Sequence, residues 1–203
     1  MKTNLMKYFV FIFWAFLSTH AFASPPPPPI PLNQYLEALD YSKGGKQTGC
    51  GLRITGEIGN DLWIDVLVSV FVMEPGTLLG MFKVNVKKVV VRYGAPLIKN
   101  GKVIYSSIGR IYNGWLKTDT GVQLFAIKNE ASQHGDAYMA SIKFDNAIDL
   151  LISIPQTNFR VGFAKEDGSE EVFEFNKRIT HEEAGKLSYC MKNLRDTRDE
   201  KSF

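Results

Sequence analysis

Apolar and polar residues alternate along most of the chain, and the alternation predicts strands. In DLWIDVLVSVFVM, Ile64, Val66, Val68, Val70 and Val72 fall on one side, and Trp63, Leu67, Phe71 and Met73 on the other. A strand apolar on both faces is expected at the centre of a sheet, covered from both sides. CGLRITGEI precedes it, and Gly59-Asn60 between the two is a two-residue hairpin signal. EPGT then turns the chain into LLGMFKVNVKKVVVRY, where Phe82, Val84 and Val86 alternate with Lys83, Asn85 and Lys87. Val89 and Val91 take the apolar slots out of phase, which predicts a β-bulge at Lys87-Lys88.

Further strands follow, each bounded by turn residues. LIKNGKVIY carries Asn100-Gly101, and WLKTDTGVQLFAI turns at Asp119-Thr120-Gly121. YMASIKF alternates, DLLISI reads as a strand ending at Pro155, and FRVGF and EVFEF flank Asp167-Gly168-Ser169. There is no strand–helix–strand alternation and no glycine-rich nucleotide loop, which argues against a doubly wound fold. The predicted class is mainly β: a single antiparallel β-sandwich or β-barrel.

Two helices are expected to flank this body. Leu32, Tyr35, Leu36 and Leu39 have helical spacing over Leu32 to Tyr41, and the glycines of SKGGKQTG would end that short N-terminal helix. At the other end, Thr180-x-x-Glu183 is a capping box that opens a C-terminal helix with Ala184, Leu187, Met191 and Leu194 on one stripe. Cys190 lies on the same stripe, and residues 195–203 form a charged tail expected to fray.

The first residues concern compartment rather than fold. Lys2 and Lys7 precede an apolar run of ten residues, Tyr8 to Leu17, and Ala21-Phe22-Ala23 offers small residues for cleavage. This is the pattern of a secretory signal peptide over residues 1–23, its run too short for the ~20 residues of a membrane span. Pro25 to Pro29 follow within a proline-rich extended spacer, residues 24–31; at ~3.1 Å per residue the five prolines make a stiff rod of roughly 15 Å. The domain proper is residues 32–194. The expected location is the periplasm of a Gram-negative bacterium, or outside the cell, with no transmembrane segment after cleavage. In an oxidising compartment, the two cysteines, Cys50 and Cys190, are expected to form a disulfide.

Composition excludes little and points to one surface. Removing Lys2 and Lys7 from the 24 basic residues leaves 22 against 21 acidic ones, a net of +1 that gives no reason to expect nucleic acid. The distribution is uneven, however. From Pro75 to Thr118 there is no acidic residue, yet the stretch holds Lys83, Lys87, Lys88, Arg92, Lys99, Lys102, Arg110 and Lys117, interleaved with Tyr93, Tyr105, Tyr112 and Trp115. Alternate placement would set several of these cations on one sheet face, where cations among aromatic rings bind anionic partners. The expected binding residues are Lys83, Lys87, Lys88, Arg92, Arg110, Tyr112, Trp115 and Lys117, with RIYNGWLK at the centre.

Catalytic candidates are sparse. His134 and Asp136 lie in the loop-like NEASQHGDAY and could pair as a base and its orienting carboxylate, with Ser132 or Ser141 as nucleophile. No His, Cys, Asp and Glu cluster has metal-ligand spacing, and no cofactor is expected. The expected function is a non-enzymatic binding protein that recognises another envelope protein or an anionic polymer, for instance as an inhibitor or immunity protein. The alternatives are a structural or accessory subunit of an envelope assembly, and a hydrolase built on His134 and Asp136.

Overall fold

The computed structural model describes residues 33–58, 62–73, 77–93, 95–124, 126–131, 137–176 and 178–200. The signal peptide and the proline spacer expected from the sequence lie outside the described residues, as do His134 and Asp136.

Strands β1 (Asn33–Lys43), β2 (Lys46–Ile58), β3 (Leu62–Met73) and β4 (Thr77–Val89) form an antiparallel meander. Five two-residue strands follow: β5 (Val91–Arg92), β6 (Ala95–Pro96), β7 (Ile98–Lys99), β8 (Lys102–Val103) and β9 (Tyr105–Ser106). Then come β10 (Ile111–Thr118), β11 (Ala126–Ala131), β12 (Ala137–Ile142), helix α1 (Phe144–Ser153), β13 (Phe159–Lys165), β14 (Glu170–Phe175) and helix α2 (His181–Glu200). The large sheet has the order β1-β2-β3-β4-β12-β11, and β10-β13-β14 form a smaller one.

The large sheet is curled and buries one face. Ile54, Val66 and Val84 stand in one row across β2, β3 and β4, and Tyr138 continues it on β12; all are buried in one core. The small sheet covers this half of the inner face, since a Cβ on Gly114 of β10 would touch Val84 and Tyr138. The other half is covered by the helices. Ala147, Leu150 and Leu151 of α1 pack over β3 and β4, and Leu187, Cys190 and Leu194 of α2 pack over β1 and β2. The expectation that β3 is covered on both sides holds for the inner face alone. On the outer face Leu67 and Phe71 are half-buried, shielded by neighbours such as Tyr41, whose ring lies 4.9 Å from Phe71.

The two sheets are joined at both margins. Gln34, only 3% exposed, reaches from β1 to the end of β14: its Nε2 donates to the Glu174 carbonyl at 3.1 Å, and its Oε1 accepts from Asn176 N–H at 3.1 Å. At the opposite margin Leu124 N–H donates to the Leu116 carbonyl at 2.9 Å, tying β10 to the segment that enters β11. A buried amide with both ends satisfied holds two strand margins together without an unpaired polar group.

Three local expectations are corrected. Residues 33–43 form β1 rather than a helix. Gly44 and Gly45, with φ of 60° and 76°, close a tight hairpin that pairs β1 with β2 back to Asn33 and Glu57. Helical spacing over ten residues is marginal by itself, and the long-range ladder outweighs it. DLLIS belongs to α1 and Ile154 is its C-cap; Ala147, Leu150, Leu151 and Ile154 recur at helical spacing and all are buried in the core. A short apolar run does not by itself distinguish a buried strand from a buried helix. Finally, β4 pairs with β3 in unbroken register through Lys88, so there is no bulge at Lys87-Lys88. The phase change arises because Lys88 pairs with Leu62, the first residue of β3; beyond it, the valines serve a different structure.

The C-terminal helix is stapled as expected by Cys50–Cys190. Its capping box is used in an unforeseen way. Glu183 N–H donates to Thr180 Oγ1 at 3.3 Å, but the Glu183 carboxylate accepts Ala38 N–H at 2.6 Å and Lys186 Nζ at 2.6 Å. The helix thereby satisfies a backbone donor on the margin of β1, which protects an edge strand. Lys186 first, and Ala38 N–H second, hold the Glu183 carboxyl below its ordinary value of 4.5. A depressed folded-state value means the contribution is in place above the ordinary value and is lost as pH falls through the depressed one. Glu183→Gln is therefore expected to flatten the fall in unfolding free energy below about pH 4.5, read from urea titrations between about pH 3 and 6. An unchanged slope would show that the contact carries no pH dependence.

Candidate functional site

The sequence-predicted cations divide between two surfaces that face away from each other. On β4, Lys83, Asn85 and Lys87 point to the outer face of the large sheet, opposite the buried Val84 and Val86. On β10, Leu116 and Thr118 are buried, so Trp115 and Lys117 point outward from the small sheet. Since the small sheet lies on the inner face of the large one, the two outward surfaces are opposed.

The β10 surface is locally balanced. Trp115 lies across Gly162, where any Cβ would collide with the indole, and its Nε1 donates to Glu170 Oε1 at 2.6 Å. Lys117 is paired in register with Arg160, which forms an ion pair with Glu174 at 3.6 Å. Arg110 is exposed just before β10, with its carbonyl accepting Glu166 N–H at 3.0 Å. Tyr112 is half-exposed where the β10–β13 register shifts. The indole at the centre of RIYNGWLK is thus committed to its own sheet, among the carboxylates of β14.

The β4 surface is different. Lys87 faces Trp63 across the β3–β4 ladder, its Nζ lies 5.9 Å from the centre of the Tyr105 ring, and Tyr105 and Trp63 are 6.2 Å apart. Lys83 stands on the same face four residues earlier, with Asn85 between the two lysines. The nearest carboxylate on this face, Asp65, receives a two-pronged contact from Arg53 at 2.8 and 3.2 Å. Glu37 also lies near Arg53, one strand further away. Among the described side chains the face is therefore polarised: Asp65 and Glu37 stand around Arg53 and Glu57 opposes Trp63 on the β1–β3 side, while Lys83 and Lys87 stand on β4 with the Tyr105 ring beside Lys87. Such rings favour a cation electrostatically and also offer apolar area to a partner.

Lys88 and Arg92 belong to a structure that the strand-by-strand reading missed. Residues 88–106 form a three-spoked plate. Lys88-Val89 pair with Tyr105-Ser106, Val91-Arg92 with Ala95-Pro96, and Ile98-Lys99 with Lys102-Val103. At the hub three backbone hydrogen bonds run in a ring: Val90 N–H to Ile104 O at 2.9 Å, Ile104 N–H to Leu97 O at 2.9 Å, and Leu97 N–H to Val90 O at 2.7 Å. Corresponding residues of successive spokes are seven apart, so Val90, Leu97 and Ile104 are equivalent, as are Val91, Ile98 and Tyr105. One closed spoke turns at Asn100-Gly101, with φ of 53° and 71°, and Tyr93 beside the turn of the other has φ of 54°. Asn100-Gly101 is the hairpin turn its sequence predicts. The signal for the unit was a seven-residue repeat: Val90-Val91-Arg92-x-Gly94 and Leu97-Ile98-Lys99-x-Gly101 share two apolar residues, a cation and a glycine, and Ile104-Tyr105 repeats the first pair alone.

Other candidate chemistry is also placed. Glu170 and Glu171 point to opposite sides of β14, one to Trp115 and the other to Lys165 at 3.1 Å. A groove of about 460 Å³ between α1 and α2 is lined mainly by apolar residues, among them Leu151, Leu187 and Met191. Among the described residues no group of three His, Cys, Asp or Glu could hold a metal ion, and no helix is long and apolar enough to cross a membrane. Ser141 is on the outer face of β12, while Ser132 lies with His134 and Asp136 outside the described residues. Comparison with family models, curated proteins and solved structures finds no match for this chain.

Proposed function

We propose that this protein is an exported, non-enzymatic docking protein of the cell envelope that engages an acidic face of another envelope protein. The observation that carries this reading is the polarised outer face: Lys83 and Lys87 stand beside Trp63 and Tyr105, while Asp65 is committed to Arg53. A partner bearing carboxylates would complete the charge pattern, and the rings would supply apolar contact at its centre. The Cys50–Cys190 staple suits such a surface, because a rigid face loses little conformational freedom on association. An inhibitor or immunity protein directed at an envelope enzyme is the concrete form of this reading. The disulfide and the basic–apolar–small pattern of residues 1–23 support export.

Retention on immobilised poly-L-glutamate tests the surface. The Lys83→Glu/Lys87→Glu variant is expected to lose about tenfold in affinity at low salt, and the difference should shrink as salt rises. Arg110→Glu/Lys117→Glu, on the opposed surface, is expected to change little. Equal losses from both variants, or none from the first, would remove the β4 face as the site.

A further inference from the structure

We propose that the three-spoked plate is a membrane-seating device that lays its apolar side on a bilayer containing anionic phospholipid. This goes beyond the docking reading, since it concerns a different class of partner and, Tyr105 apart, different side chains.

Residues directly opposed in an antiparallel pair share a side of the ladder. The seven-residue equivalence then sorts the plate into two sides. One side carries Val91, Ile98 and Tyr105 on the outgoing strand of each spoke, and their cross-strand partners are Pro96, Val103 and Val89. All six are apolar or aromatic. Val91, Ile98 and Tyr105 are 44%, 62% and 42% exposed, an unusual outlay of aliphatic surface for two-residue strands. The other side bears Arg92, Lys99 and Lys102, all exposed. Tyr93 at the first tip is 94% exposed, with the Arg92 guanidinium 5.4 Å from its ring centre.

This is the division of an interfacial amphipathic helix, built from strands. An apolar side enters the boundary between headgroups and chains, tyrosines lie at headgroup level, and long cationic side chains reach from the rim to lipid phosphates. The spokes are thin, so Arg92 and Lys99, next to the turns, lie within reach of the rim. Two features favour a bilayer over a protein groove. The exposed groups, Val91, Pro96, Ile98 and Tyr105, are aliphatic or aromatic and stand on one side of short two-residue ladders, which suits a fluid surface that needs no matching shape. The charge is of one sign throughout, with no acidic residue from Pro75 to Thr118. Each cation near an anionic leaflet strengthens attachment severalfold.

Co-sedimentation of the oxidised protein with vesicles tests the proposal. Binding is expected to phosphatidylcholine vesicles containing about one-third phosphatidylglycerol, and to fall by at least about tenfold on pure phosphatidylcholine. Arg92→Glu/Lys99→Glu/Lys102→Glu should reduce binding to the anionic vesicles about a hundredfold or more. Val91→Ser/Ile98→Ser keeps every charge and is expected to lose about tenfold on vesicles while its retention on poly-L-glutamate stays unchanged. Full vesicle binding by that serine variant would overturn the proposal in favour of a site for soluble polyanions. Absence of vesicle binding by the unaltered protein would overturn it outright. Lys83→Glu alone, with Lys87 beside Tyr105 left unaltered, should retain about half or more of the vesicle affinity, so the plate and the β4 face are told apart. Unchanged thermal unfolding of each variant confirms that a lost signal reflects the surface and not the fold.

Discussion

Replacing Cys50 and Cys190 together by alanine is expected to lower the unfolding free energy by about 3–5 kcal/mol. The two residues are 140 apart in sequence, so the bond closes nearly the whole described body into one loop. The chain-entropy argument gives about 5 kcal/mol for a loop of this length, and native disulfides commonly contribute about 2–4. The position of the bond pushes the effect toward the upper part of that range. Cys50 faces the core from β2, and Cys190 is held between Leu187 and Leu194 on the buried side of α2. Helix α2 otherwise grips the sheet through Leu187, Leu194, the half-buried Met191 and the Glu183–Ala38 contact. The double variant should therefore show two signatures. The urea midpoint should fall and the slope should rise, because the unfolded chain, released from a crosslink across 140 residues, expands and exposes more surface. Amide exchange should also accelerate in α2 more than in β3, because α2 acquires a local opening route. Reductant should reproduce both effects in the unaltered protein. A midpoint shift worth less than about 1 kcal/mol would mean that apolar packing alone secures the helix.

Gly80→Val is expected to be nearly as damaging, at about 3 kcal/mol. Gly80 lies in β4 beneath α1. A Cβ there would stand 2.8 Å from Ala147 Cβ, 2.8 Å from Ile142 Cγ1 and 2.9 Å from the Ile142 carbonyl oxygen. None of these is the free end of a flexible side chain, and Ala147 and Ile142 are buried. The helix must lift, and lifting it uncovers Leu150 and Leu151 together. A smaller insertion offers a check on the mechanism. Gly80→Ala combined with Ala147→Gly should be less destabilised than the sum of the single changes, since the second makes room for the first. Gly185→Ala is the counterpart. Nothing lies within 4 Å of a Cβ at that position in α2, so removing the helical glycine should stabilise by about 0.5–1 kcal/mol. Matching effects at Gly80 and Gly185 would show that close approach of α1 to the sheet is not what Gly80 provides.

Much of the architecture was legible before any coordinate. The apolar run DLWIDVLVSVFVM identifies a central strand and its buried row Ile64 to Val72, because side chains on a pleated backbone point alternately to its two sides. The same run also predicts a covered second face, which the structure leaves half-open. Asn100-Gly101 and Asp167-Gly168 announce their turns, since few residues tolerate the left-handed backbone there. The pairing of two cysteines and the capped C-terminal helix were equally readable. The plate was readable too, through its seven-residue spacing, but a strand of two residues is too short for alternation to register.

Errors fell where local pattern admits two answers. Tyr35, Leu36 and Leu39 satisfy helical spacing, and as β1 they divide between faces, leaving Tyr35 63% exposed and Leu36 buried. Ladder pairing with β2 decided between them, and that is a long-range contact. The cations show the same division of labour. The residues by themselves determined that Pro75 to Thr118 carries positive charge without acids, and that β4 and β10 each present cations outward. Only the tertiary structure decided that those two outward directions oppose each other, that Trp115 meets Glu170 while Lys87 meets Trp63 and Tyr105, and that Asp65 answers to Arg53. The reason is physical: alternation sets which side of its own strand a residue occupies, whereas the charge it faces is set by strands far away in sequence.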